Sequence, residues 1–310
     1  MIICLGTTPA YQRTLTFSPL RRNEVNRAIA VKTFASGKPI NVGRVLHAIA
    51  QPALVTGFVG GAAGKFIRDD LDQSGIAHDF VTVQQETRTC LTLLDQTDQS
   101  ATELVEESAT VDAGKWDDLL YLLQSHLKDA DSLVLSGSLA PGAPPAFYAT
   151  CVRVSREAGI PAILDAKGEP LREALVERPY VIKPNHAEVE ATVGRKLSTD
   201  ADLLVATREL LAAGAVWAVV TEGSAGAIVC DRQNAWRIHV PKVEVINPIG
   251  SGDAFAAGLA AGLARGADVP EASLLATACA LANTLTPHAG FVNKSDVENF
   301  LQGLDLLQLS

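Results

Sequence analysis

Asn247-Pro248-Ile249-Gly250-Ser251-Gly252-Asp253, followed by the small-residue run Ala254 to Ala264, decides the reading of this chain. An apolar, β-branched run (Val243, Val245, Ile246) enters a glycine-rich turn, and a helix rich in Ala, Gly and Leu leaves it. Such a turn sets several backbone N–H groups at a helix N-terminus, where unpaired donors and the helix dipole together favour an anion. Glycine allows the backbone to approach that anion without a Cβ in the way. Asp253 is then out of place electrostatically, because a carboxylate repels an anionic ligand. Its presence makes sense if it takes a proton beside a reacting phosphoryl group. The residues therefore point to phosphoryl transfer onto a hydroxyl, with Asp253 as base and the Gly250, Ser251 and Gly252 segment stabilising the developing charge. The plainer alternative is a capped helix after an ordinary turn, since Ser and Asp are common caps.

Working outward, 310 residues are enough to bury a large core, as one α/β domain or one domain with a small appendage. A formal charge of −9 argues against a nucleic-acid or anionic-membrane surface, while leaving room for a local basic pocket. No apolar run is long enough to span a bilayer, and Met1-Ile2-Ile3-Cys4 begins a strand instead of a signal peptide. Cys4, Cys90, Cys151, Cys230 and Cys279 are odd in number and spread through apolar segments. They read as reduced core thiols of a cytoplasmic protein, and not as a disulfide set or zinc site.

Ile2 to Gly6 forms a short apolar strand. From Tyr11 to about Ser36 polar and apolar residues alternate, which suits antiparallel strands with one wet face. Pro39 to Ala50 turns to helical spacing; strand Leu54–Val59, helix Phe66–Gln73 and strand Val81–Val83 follow. Alternation returns in Thr89–Leu94 and Glu103–Glu106 around the polar turn Asp95–Ser100. Helices then alternate with strands at Leu133–Leu135, Ala162–Leu164, Val181–Ile182, Val216–Val220 and Ala227–Val229. This order predicts a parallel sheet covered by helices on both faces. The two half-wet segments, about 11–36 and 87–107, would form a small sheet lid over it. Ser36-Gly37-Lys38-Pro39-Ile40-Asn41 opens a helix as a sugar or phosphate cradle, with Lys38 as a point charge. Two further candidates fail. Gly60 to Lys65 lacks the glycine and the hydroxyl residue of a P-loop, with Val59 and Phe66 in their places. The six histidines, His186 among them, show no metal-ligand pairing.

The motif Asn-Pro-x-Gly-Ser-Gly-Asp before a small-residue helix resembles the C-terminal signature of the ribokinase-like (PfkB) sugar kinases. The resemblance runs over essentially the whole chain and implies one domain, 1–310: a three-layer α/β/α body with a β-sheet lid. It implies ATP- and Mg²⁺-dependent phosphorylation of a hexose phosphate (tagatose 6-phosphate, fructose 1-phosphate or fructose 6-phosphate) to the bisphosphate, and a homodimer formed through the lid. Gly37, Lys38 and Asn41 match the family's N-terminal Gly-Gly-Lys-Gly-x-Asn motif, which holds the acceptor. Ser36 and Pro39 depart from it, and Pro39 has no N–H to donate although it is well accepted in a first helical turn. Gln12 stands where the family usually has an aspartate on the sugar hydroxyls; alternatively it is a plain loop residue. Arg88, otherwise a solvated surface charge, resembles the arginine with which kinases of phosphorylated ketohexoses grip the existing phosphate. Ser138, in Ser136-Gly137-Ser138-Leu139-Ala140-Pro141-Gly142, belongs to the same tagatose-6-phosphate kinase and 1-phosphofructokinase branch, and Arg27 would reach the phosphate across a dimer. Lys183 lies near the ATP phosphates, and Asn185 with Glu188 resembles the Asn-x-x-Glu element acting on Mg²⁺ through water, although the pair also reads as a capping box. Thr221, Gly223, Ser224 and Gly226 match the nucleotide loop, and Asn283 a helix beside the adenine. A kinase of an unphosphorylated sugar or nucleoside, and a non-catalytic sugar-phosphate sensor, remain as alternatives.

Overall fold

The computed structural model describes residues 1–309. Its first half runs β1 (Ile2–Leu5), β2 (Ala10–Phe17), β3 (Ala30–Ser36), α1 (Lys38–Ala48), β4 (Ala53–Gly60), α2 (Gly61–Gln73), β5 (His78–Val83), β6 (Thr89–Asp95), β7 (Ser100–Val105) and α3 (Ala113–Leu127). Next come β8 (Ser132–Ser136), α4 (Phe147–Glu157), β9 (Ala162–Asp165), α5 (Glu169–Leu175), β10 (Val181–Ile182), α6 (His186–Val193) and α7 (Asp200–Ala212). The chain finishes with β11 (Trp217–Thr221), β12 (Ala227–Cys230), β13 (Ala235–Ile238), α8 (Ser251–Ala264), α9 (Val269–Thr284), α10 (Lys294–Gln302) and β14 (Leu306–Leu309).

Ten strands form one sheet in the order β14-β13-β12-β11-β10-β9-β8-β1-β4-β5. From β11 to β5 every pair is parallel. Its strands are apolar without a break because both faces are covered. The period of two sorts them cleanly. Ile2, Cys4, Val134, Ile163, Val181 and Val219 join α1, α8 and α9 in one core. Ile3, Leu5, Leu133, Leu135, Leu164 and Val220 join α3, α4 and α7 in the other. Three layers result.

The all-parallel expectation needs correction at one edge. β12, β13 and β14 run antiparallel to their neighbours, and β13 and β14 were absent from the strand reading. The segment joining β11 to β12 closes on itself through the Glu222 N–H to Gly226 carbonyl bond of 2.8 Å. It is far too short for a helical crossover, so the strand must return as a hairpin. The run Val243–Ile246 is extended loop and not a strand, with Val245 and Ile246 exposed.

The two alternating segments do come together as a second sheet, ordered β3-β2-β6-β7. Its central pair, β2 with β6, is parallel, and both outer pairs are antiparallel. It is moored to the body by Tyr11 packed edge-on to Phe66 at 4.8 Å. Arg44 adds a second anchor, donating to Asp70 at 3.1 Å and to the Ala35 carbonyl at 2.9 Å.

The run behind the turn becomes α8, whose small residues have a geometric cause. A Cβ on Gly258 would stand 2.6 Å from Ala276 Cα, and one on Gly262 would stand 2.6 Å from Ala272 Cβ. Helices α8 and α9 thus touch backbone to backbone, which seats the N-terminus of α8 firmly at the carboxyl edge of the sheet.

Candidate active site

Open parallel sheets place ligands beyond the carboxyl ends of their strands, and the chemically active side chains of this chain gather there. Asp165 ends β9, Lys183 follows β10, Thr221 ends β11, and Ser136 ends β8 with Gly137 and Ser138 following it. Gly37 and α1 enter from the β3 side, and Gly250 with α8 closes the group.

The turn before α8 is braced from beneath. Gly250 has φ 87°, and a Cβ there would lie 2.8 Å from the Gly290 nitrogen, so both its conformation and its neighbours demand glycine. Asn247 is buried; its Oδ1 accepts from Ile249 N–H at 3.0 Å and its Nδ2 donates to the Pro287 carbonyl at 3.1 Å. Asn283 is fully buried, donating to the Ile249 carbonyl at 2.9 Å and accepting from Gly290 N–H at 2.8 Å. Its amide is engaged at both ends and so supports the turn from α9. The Ser251 and Asp253 N–H groups are directed at the Pro248 and Gly250 carbonyls. Gly252, exposed at the helix tip, has no acceptor for its N–H among the described residues, and a Cβ there would meet only Lys183 Nζ. The turn therefore offers a free donor beside a lysine, at the positive end of a helix.

Asp253 is buried in that first turn. Its Oδ2 accepts from Asn41 Nδ2 at 2.8 Å, and Asn41 Oδ1 accepts from Ser36 Oγ at 3.0 Å. Ser36, which departs from the usual glycine, thus steadies the asparagine that orients the carboxylate. Burial raises the Asp253 carboxyl to about 6; Asp165 adds to the rise, while Lys38, Asn41 and Lys183 oppose it. A carboxylate near 6 is a competent base at neutral pH.

Asp165 was not singled out from the sequence. It is buried, and it holds Lys38 Nζ at 3.0 Å and Lys183 Nζ at 3.3 Å. Burial alone would raise its carboxyl, but Lys183 and Lys38 outweigh that and keep it below the ordinary range. Burial also works against the Lys38 ammonium, yet Asp165 and Asp253 together hold it charged. One carboxylate thereby positions two cations across the cleft floor, a geometry suited to a polyphosphate.

In the loop between β11 and β12, Gly223 has φ 56° and Gly226 φ 90°; a Cβ on Gly226 would strike the Ile238 carbonyl at 1.9 Å. Ser224 is exposed at the loop tip, and Thr221 pairs with Asn185 in an isolated bridge. Glu222 locks the loop. It accepts from buried Arg237 Nη1 at 2.6 Å and pairs with His186 Nδ1 at 3.1 Å. Arg237 also holds Asp200 at 2.6 Å. The hydrogen bond to Glu222 raises the His186 imidazole above its ordinary value. Neither Glu222 nor Arg237 carries a motif, and His186 read as an ordinary core or surface residue. Asn185 and Glu188 form the full capping box of α6, with 2.9 Å bonds in both directions.

Gln12 is no loop residue. It lies buried in β2, donating through Nε2 to Thr92 Oγ1 at 3.0 Å. Arg88 reaches back over the first loop, donating to the Thr8 carbonyl at 3.0 Å and to the Glu106 carbonyl at 3.3 Å, while its buried Nε has no partner. Ser138 is exposed, with its carbonyl accepting from Thr7 Oγ1 at 3.2 Å. Arg27 stands exposed in the β2–β3 connection. No helix of the described residues is long and apolar enough to cross a membrane.

A group of at least three acidic, His or Cys side chains able to hold a metal is absent among the described residues. Mg²⁺ does not need one, since it keeps most of its waters and takes one or two carboxylates with phosphate oxygens. Glu188, whose charge acts on Lys38, offers one such carboxylate.

Comparison with known proteins agrees with this arrangement. Residues 1–295 match the pfkB family of carbohydrate kinases. Tagatose-6-phosphate kinase of Staphylococcus epidermidis is 30% identical over 312 residues, covering 100% of both chains. A Thermotoga maritima structure described as a possible 1-phosphofructokinase superposes with a TM-score of 0.91 at 25% identity, over 100% of this chain and 99% of that one. Phosphofructokinase-2 of Escherichia coli, solved with fructose-6-phosphate, shares the fold with a TM-score of 0.87 at 24% identity, over 97% of each chain. The ribokinase-like three-layer architecture and the phosphotransferase class follow from these matches, and the chain belongs to the pfkB family of carbohydrate kinases.

Proposed function

We propose that this enzyme phosphorylates a hexose phosphate with ATP, giving the bisphosphate, and that the acceptor is tagatose 6-phosphate, fructose 1-phosphate or fructose 6-phosphate. The observation that carries the reading is the buried Asp253 carboxylate beside the free Gly252 N–H, with two Asp165-held lysines alongside. The acceptor hydroxyl oxygen attacks the terminal phosphorus, the bond from that phosphorus to ADP breaks, and the hydroxyl proton passes to Asp253. The Gly250, Ser251 and Gly252 backbone holds the transferring group, and Gly252 N–H meets the charge on its equatorial oxygens.

Lys38, released in part from Asp165, and Arg88 with Ser138 take the acceptor's existing phosphate; Gly37 lets the backbone approach and Asn41 keeps the base oriented. Gln12 lines the acceptor side as a neutral donor and acceptor. Lys183 meets the ATP phosphates, and Thr221, Gly223, Ser224 and Gly226 cradle the nucleotide. Glu188 would hold Mg²⁺ through water, where the ion would supply neutralisation of phosphate charge. The second sheet, 11–36 with 87–107, acts as a lid that excludes water and limits ATP hydrolysis. Two copies of the chain pair through it, which brings the partner's Arg27 toward the acceptor phosphate.

Turnover with ATP and Mg²⁺ against tagatose 6-phosphate, fructose 1-phosphate, fructose 6-phosphate, free fructose and ribose tests the proposal. A preference of at least about tenfold in kcat/KM for one phosphorylated ketose is expected, the size a single phosphate contact set supplies. Equal or better use of free fructose or ribose would overturn the acceptor assignment.

A further inference from the structure

At the opposite end of the sheet from Asp253 lies a cleft of about 550 Å³ between the amino ends of β9 and β11 and the last turns of α4 and α8. Its size falls within the range of small-molecule sites. The apolar part of its lining includes Ile160, Tyr180, Val216 and Leu263, and the charged groups on it are Arg156 and Arg178. No carboxylate lines it among the described residues, in a chain whose formal charge is −9. Arg156 is partly neutralised by Glu177 at 3.1 Å, whereas Arg178 takes part in no ion pair among the described residues.

Two backbone features keep the cleft receptive to an anion. The bottom of such a sheet collects helix C-termini, whose bare carbonyls repel negative charge. Here α4 closes its own end, with Gly159 N–H bonded to the Arg156 carbonyl and Ile160 N–H to the Ser155 carbonyl, each at 2.9 Å. Arg178, in turn, is held at φ 61°, a left-handed conformation that a glycine would adopt without cost. Arg178 is exposed and lines the cleft, so its cation is available to a bound anion.

We propose that this cleft binds a small aromatic or branched apolar anion, its acid group on Arg178 and its body against Tyr180, Val216 and Leu263. Leu263 lies in the last turn of α8, ten residues beyond Asp253, so the site stands roughly 15 Å along the helix from the base. It is therefore separate from the nucleotide and acceptor sites, and it rests on none of the acceptor chemistry above.

The test uses 8-anilinonaphthalene-1-sulfonate, an apolar aromatic anion, titrated calorimetrically into the full chain held at saturating ATP and Mg²⁺. One-to-one binding is expected, weakened at least about tenfold by R178E and by replacing the probe with uncharged N-phenyl-1-naphthylamine. V216W, which fills the cleft from an exposed position, is expected to abolish it. Both variants should retain kinase turnover, which shows that they fold. Displacement of the probe by ATP, equal affinity for R178E, or unchanged binding in V216W would each overturn the assignment.

Discussion

Asp253 carries two demands that pull against each other. To act as base it must be ionised, yet burial favours its neutral form and holds its carboxyl at about 6. The pH dependence follows directly: kcat/KM falls as pH drops through about 6, and it is flat above that until another group titrates. D253N is expected to lose at least about 10³-fold in kcat, in the range for removing a base in this setting, while still binding nucleotide; near-normal turnover would remove Asp253 from the mechanism. The folded-state pKa lies above that of a free aspartate. The ionised carboxylate therefore costs stability above about pH 6, and the cost disappears below the unfolded-state pKa, where both states are protonated. D253N should accordingly melt higher than the parent at pH 7–8, an advantage that vanishes near pH 3.5. Arg88 makes a separate case. With a phosphorylated acceptor, R88A should raise KM and cut kcat/KM by about 10²-fold, the loss of a charge-assisted phosphate contact; unchanged kinetics would mean that Arg88 only ties Thr8 to Glu106. The Asp253 site was legible because turn, base and helix are contiguous. Asp165 was not, since a single aspartate at a strand end has no local signature. Its importance appears only when two lysines from distant segments converge on it.

Elements show the same division between local and non-local information. The parallel core could be read from apolar runs alternating with helical spacing, and the second sheet from its polar and apolar alternation. The strands missed, β13 and β14, are four residues each, and β14 pairs with a strand about seventy positions earlier. Asn283 illustrates the limit within a helix. Its place on α9 was clear from sequence, but its use as a brace under Gly250 depends on a turn more than thirty residues away. The α8–α9 contact gives the prediction at this scale. A Cβ on Gly258 would meet Ala276 Cα at 2.6 Å and the Leu275 carbonyl at 2.7 Å, both backbone atoms that cannot rotate aside. G258V should therefore destabilise by at least the upper end of the about 1–3 kcal/mol typical of overpacking. Where the folded fraction persists, it should depress kcat through displacement of the α8 N-terminus. Chemical unfolding with kinetics at matched folded fraction checks both. A stability within 0.5 kcal/mol of the parent, roughly the scatter of surface substitutions, would show that the helices are free to separate.

For the molecule as a whole, the second sheet and the loop leading to it carry several exposed apolar side chains. Val25, Ile29, Val31, Leu104 and Val105 are all about half exposed or more, and they sit on the outer strands β3 and β7 or in the loop leading to β3. They flank the sheet at its two opposite edges, β3 and β7, and apolar surface left exposed on open edges is a liability in an isolated chain and a reason for two copies to meet. Pairing through this sheet would also stiffen it over the cleft, linking assembly to catalysis through the order of the lid. Val31 and Leu104 lie far from Asp253 in the chain and contribute no group to the chemistry. The paired substitution V31K/L104K should yield a monomer by analytical ultracentrifugation, with its melting temperature little changed because both positions face solvent. Its KM for the phosphorylated acceptor should rise and its uncoupled ATP hydrolysis should increase, since an unsupported lid admits water. A parent protein that sediments as a monomer at micromolar concentration would defeat this account of the exposed patch. So would a monomeric variant with parental KM and no added hydrolysis, because the lid would then close without a partner.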